Sequence, residues 1–159
     1  MAHDDPFAGK KITGDWAYDL NRSGSFTPTP TASGGGLDLG TGGSANGIYQ
    51  IIGHRVFVEF NITFGTSSSP GTGTLLIAQP FDADTSLYST SWGFGMAYLV
   101  DVGTGANRQS AVIEFNTAST VRMRPNGAAL VTNSVPCTWT DTDNFWGFWS
   151  YLADPNDLP

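Results

Sequence analysis

The chain is poor in what most catalytic and nucleic-acid-binding proteins need. It has one cysteine, Cys137, and two histidines, His3 and His54. One thiol forms no internal disulfide and supplies no cysteine cluster for zinc. Lysine occurs only at Lys10 and Lys11, and glutamate only at Glu59 and Glu114. Charged residues make up 13% of the chain, against about 25% in an ordinary soluble domain. Charge-rich helix surfaces need Lys and Glu, so a helical bundle or coiled coil is excluded. The formal net charge is −7, and the basic residues are scattered apart from Lys10-Lys11 and Arg122/Arg124. Phosphate contacts demand a basic stripe, so nucleic acid is not expected as a partner, nor is an anionic membrane surface. No run of eighteen apolar residues stands in the sequence, so no membrane-spanning helix is expected. The polar, acidic start carries no apolar core of a signal peptide, and synthesis in the cytosol is the expectation.

What the chain does have is 20 glycines, 13% aromatic residues and five tryptophans. That aromatic content argues against disorder. Residues 1–47 read as an extended Gly/Pro/Thr-rich arm. It holds the Thr27-Pro28-Thr29-Pro30-Thr31 run and Gly34-Gly35-Gly36. Alternating proline favours a polyproline-like path without a partner strand. Phe7, Ile12, Trp16, Tyr18, Leu20 and Phe26 punctuate the arm as anchors, which a plain linker does not need. Such an arm docks on its own body, on a sister subunit or on a larger assembly.

From Ile48 the hydrophobic period becomes two. Val56, Val58, Phe60, Ile62 and Phe64 share one face, while Arg55, Glu59, Asn61 and Thr63 share the other, with Phe57 as the exception. Strict alternation marks a half-buried antiparallel strand. Further strands are expected at Ile48–Ile52, Thr74–Ala78, Trp92–Val102, Arg108–Asn116, Thr120–Arg124, Ala128–Thr132 and Asn144–Ala153. About eight strands with frequent turn signals predict an all-β fold over 48–153, an antiparallel β-sandwich of jelly-roll type or else a small barrel, with a C-terminal tail at 154–159. Between Trp92 and Val102 bulky residues alternate with Gly93, Gly95 and Ala97. Small residues on a strand face let another backbone or ring approach. Phe57, Gly93, Gly95 and Ala97 are therefore the candidate subunit interface.

The search for chemistry yields little. His54 falls in a turn, and no G-x-S-x-G elbow accompanies it. Asp82/Asp84 and Asp141/Asp143 are carboxylate pairs, open to three readings: Asx turns, a calcium loop, or the acid and base of a polysaccharide-degrading enzyme. No cofactor motif is present, and none is expected. Tryptophans bind sugars where exposed and fill cores or interfaces where buried. Trp92, Trp146 and Trp149 fall in alternating runs and are assigned to packing or an interface. Trp139, in a loop, is the candidate glycan contact. Cys137 is read as a small packed side chain.

The stretch from Gly47 to Val58 (Gly-Ile-Tyr-Gln-Ile-Ile-Gly-His-Arg-Val-Phe-Val) resembles a motif of bacteriophage tail-fibre and head-fibre domains, with a Tyr, then Ile-Gly, then a Val-rich strand. Gly73-Thr-Leu-Leu-Ile77 leading to Pro80-Phe81 also fits, as do the strand from Trp92 to Val102 and the end through Pro136, Trp139, Asp141-Thr-Asp143 and Tyr151. The resemblance spans 47–153. The chain departs from it in having Gln79-Pro80-Phe81 where a Leu-Pro-Phe stands, and in a Trp-rich last strand. The resemblance implies a trimeric, non-enzymatic β-sandwich on the outside of a virion. It is either a minor capsid or decoration protein or a receptor-binding tip. The implied partners are two sister copies, the major capsid protein and, for a tip, a host surface glycan. The arm would dock on the capsid or clasp sister subunits.

Overall fold

A computed structural model describes residues 21–103, 107–126 and 129–159 of the 159-residue chain. The arm positions Phe7, Ile12, Trp16, Tyr18 and Leu20 lie outside the described residues. Among the described residues there is no helix, and the fold is all-β. Eleven strands form: β1 (Asn21–Phe26), β2 (Pro30–Ala32), β3 (Leu37–Asp38), β4 (Ser44–Ile52), β5 (Arg55–Thr63), β6 (Ser69–Pro70), β7 (Leu75–Ala78), β8 (Gly93–Asp101), β9 (Asn107–Thr117), β10 (Thr120–Pro125) and β11 (Asn144–Leu152). Nine of them make one antiparallel sheet in the order β1-β4-β5-β11-β8-β9-β10-β7-β2, and β3 pairs with β6.

The β4–β5 hairpin carries the alternation seen in the sequence. Ile52 pairs with Arg55 across a two-residue turn. Gly53 takes the positive φ of 62° that such a turn demands. Along β5, Val56, Val58, Phe60 and Ile62 are buried while Arg55, Phe57, Glu59 and Asn61 are exposed. Burying each aliphatic side chain contributes about 1.5–3 kcal/mol. These residues join Phe145, Trp149 and Tyr151 of β11, Leu99 of β8, Ile113 of β9, Met123 of β10 and Ile77 of β7 in one core.

The sheet curls so that its β7 end covers its β11 face. The Tyr151 hydroxyl donates to the Phe81 carbonyl at 2.8 Å, and the Trp149 indole N–H donates to Gln79 Oε1 at 3.3 Å. The Phe81 ring meets Tyr49 of β4 edge-on at 4.9 Å. Both links run from the segment after β7 to strands on the far side of the sheet, which closes the core into a sandwich-like body.

Three expectations need correction. Residues 21–47 are not an arm apart from the body: β1 pairs along β4, and β2 pairs with β7. The sequence of β1, Asn-Arg-Ser-Gly-Ser-Phe, has no apolar alternation, because backbone pairing with β4 rather than side-chain burial holds it. Pro30 sits in β2, the last strand of the sheet, where a missing N–H costs no ladder bond. The expected strand at Ala128–Thr132 is instead irregular over its described residues. Val131 is fully buried and bridges two strands, its N–H donating to Met123 O and its carbonyl accepting from Leu75 N.

Candidate interaction face

Of the candidate carboxylates, Asp84 and Asp143 are engaged in structure, whereas Asp141 is exposed. Asp143 is fully buried; its carboxylate accepts from the backbone N–H groups of Val102 and Thr140, each at 2.7 Å, and from the Thr140 hydroxyl at 3.2 Å. It pins the loop before β11 to the end of β8. Asp84 accepts from the Ser86 hydroxyl and N–H, and those bonds hold its carboxyl below the usual carboxylate range. The Asp82 N–H donates to the Asp157 carboxylate, which fastens the tail. The Asp84–Ser86 contact is an Asx turn; the bonds of Asp143 and Asp157 tie separate segments together. No group of three His, Cys, Asp or Glu side chains among the described residues is placed to hold a metal ion. His54 is exposed in its turn. Cys137 is half-buried, and burial, reinforced by the nearby Asp101 and Asp143 carboxylates, pushes its thiol up to about 12.

The tryptophans divide in an unexpected way. Trp139, proposed to face a glycan, is 1% exposed. It stacks on Phe64 at 6.0 Å, meets Phe145 edge-on, and donates its indole N–H to Thr132 O at 2.8 Å. A ring enclosed on those sides offers no face to a sugar. Trp149 is buried, as its place in an alternating run predicts, but Trp92 and Trp146 are half-exposed. The middle of β8 faces the opposite way from the expectation. Ala97 is 4% exposed and belongs to the core, and a Cβ on Gly95 would collide with Trp149 Cβ and Phe148 O of the same chain. The small residues of β8 make room for β11, not for another subunit. Phe57 and Gly93 remain on the surface.

From Met96 onward the bulky side of β8 faces outward and joins a continuous row, while Phe94 packs against the core. Ile48 of β4 pairs with Glu59 of β5, Glu59 with Phe148 of β11, Phe148 with Met96 of β8, and Met96 with Val112 of β9. Four of these five are large apolar side chains between 43% and 57% exposed. Trp146, one row along, lies 5.3 Å from Tyr98, and Phe57 lies in the row on the other side. Shallow grooves of about 660 Å³ and 250 Å³ flank the row, and Glu59 lines both. The row crosses five adjacent strands, spanning about 20 Å at the usual strand spacing. No single strand announces it. The available signal is β11, where the apolar run Phe145-Trp146-Gly147-Phe148-Trp149 leaves neither face polar, the mark of a strand covered on both sides.

The fold and this face together define an antiparallel all-β protein with an exposed apolar row across five strands. No family model and no curated protein matches the chain. Among solved structures, the bovine atadenovirus type 4 fibre head protein is similar at 13% identity and a TM-score of 0.35, over 84% of this chain and 99% of that one. A likeness of that size says nothing about shared function.

Proposed function

We propose that this is a non-enzymatic structural protein of a bacteriophage virion surface, a minor capsid or decoration protein that forms trimers on the capsid exterior. The observation that carries the proposal is the exposed apolar row across β4, β5, β11, β8 and β9. An apolar patch at the upper end of what a soluble monomer exposes is often a functional contact surface. Two features support it. One carboxylate of each pair that an enzyme would use, Asp84 and Asp143, is tied up in structural hydrogen bonds. The fibre-like Gly47–Val58 motif falls on the β4–β5 hairpin that contributes Ile48, Phe57 and Glu59 to the face. In this reading residues 1–20 reach the major capsid protein.

Quantitative mass spectrometry of purified virions tests the role. Hundreds of copies in a simple ratio to the major capsid protein are expected. A handful of copies in multiples of three places the protein on the tail, and absence from virions removes the reading. The half-exposed rings of Trp92 and Trp146 favour a second reading, a receptor-binding tip. It predicts that host polysaccharide quenches tryptophan fluorescence and that Trp92→Ala or Trp146→Ala abolishes the quenching.

A further inference from the structure

We infer that the outer face of β4-β5-β11-β8-β9 is where one copy of this chain seats another. The inference deepens the self-association part of the proposed function and does not depend on where in a virion the protein sits.

The area argues for it. Aromatic side chains present about 150–250 Å² and aliphatic ones somewhat less, so six side chains at half exposure leave about 600 Å² of apolar surface. A typical monomer's largest patch is about 300–600 Å², so this one stands at the upper limit. Two such faces in contact remove about 1,200 Å² from water, the lower edge of stable interfaces. Packing, not chemistry, is what the row offers: β-branched Ile48 and Val112 at its ends, Phe148 in the middle strand, and Met96 beside it. Sheet faces of this kind pack about 10 Å apart with interdigitating rows. Apolar ends of similar shape let Ile48 of one copy lie against the β8–β9 end of the next, with Glu59 beside that contact.

Glu59 gives the contact its register. Its carboxylate is exposed in the row and has no ion-pair partner among the described residues. Burying it dry is costly, so the seated copy lies where Glu59 keeps water or meets a cation. That excludes sliding placements which cover the row indiscriminately.

The test is the mass of the full-length protein in solution, by sedimentation equilibrium between about 1 and about 100 µM, the range in which an interface of this size holds. The wild type is expected to be a discrete oligomer. Phe148→Glu and Met96→Glu, each placing a carboxylate on the face, are expected to weaken association at least about 100-fold. Leu87→Glu, at an exposed apolar position in the loop before β8, is expected to leave it unchanged. Circular dichroism verifies that each variant keeps the wild-type β spectrum, which exposed positions allow. A monomeric wild type at about 100 µM overturns the inference and assigns the face to residues 1–20 or to a different protein. So does an oligomer that survives both face variants, or one that Leu87→Glu disrupts equally. A confirmed oligomer that is absent from virions overturns the proposed function and leaves this inference standing.

Discussion

Trp139 and Cys137, two residues apart, show how little a side chain's type says about its use. Trp139 is held among Phe64, Phe145 and the Thr132 carbonyl, and its neighbours in sequence, Thr138 and Thr140, are exposed. A tryptophan between two exposed threonines reads as a loop ring; only the curl of the sheet brings the phenylalanines to it. Trp139→Ala is expected to cost about 3–5 kcal/mol in urea unfolding, through the cavity and the orphaned carbonyl. A cost near zero would mean that the ring is exposed after all. Cys137 is legible in sequence as a small packed residue, and its thiol stays protonated at neutral pH. Iodoacetamide is expected to leave it unmodified at pH 8 in the folded protein and to alkylate it rapidly in denaturant, read by mass spectrometry. Because folding raises this thiol to about 12 from an ordinary 9.0, the unfolded state loses its proton first. Its stabilising contribution is full below pH 9 and is lost as pH rises towards about 12. Tyr151 is also raised, chiefly by burial, and acts in the same direction. Alkaline unfolding is therefore expected to shift to higher pH in Cys137→Ser.

At the scale of the element, β5 and β1 are opposite cases. The pattern of β5 is plain because its two faces see different solvents, and the same alternation fixes its register with β4 and β11. Ile62→Ala, on the fully buried side, is expected to lower stability by about 2–5 kcal/mol, measured by urea titration. β1 carries no such signature, and β2 is only three residues long, with Pro30 and Ala32 buried and Thr31 exposed. Both are edge additions, and β1 is held by main-chain bonds, which any sequence without steric conflict can make. Between β9 and β10, Glu114 draws Arg122 at 3.2 Å and Arg124 at 2.6 Å across the register pair Arg122/Glu114. Glu114 is nearly buried, so its bonds are screened less than surface pairs. Glu114→Gln is expected to destabilise by about 1–3 kcal/mol, the range for charge-assisted bonds lost at a partly buried site. An unchanged urea midpoint would show that the ion pairs only decorate the surface.

For the whole molecule, a net charge of −7 works against self-association, while the apolar face drives it. Raising salt screens the first and strengthens the second. Association of the wild type is therefore expected to tighten as sodium chloride rises from about 0.05 to about 0.5 M, in sedimentation runs at fixed protein concentration. Loosening with salt would mean that ion pairs, not the apolar row, hold the copies together. The sequence by itself determined the all-β class and the long alternating strands. These follow from composition and period-two burial, both local properties of a chain. Only the tertiary structure decided that residues 21–47 belong to the body, that the small residues of β8 make room for β11, and that Trp139 is enclosed. It also decided that Ile48, Phe148, Met96 and Val112, separated by up to 100 positions, stand in one line. The reason is physical: a strand's own pattern says which of its faces is apolar, but strand order and register determine what each face meets.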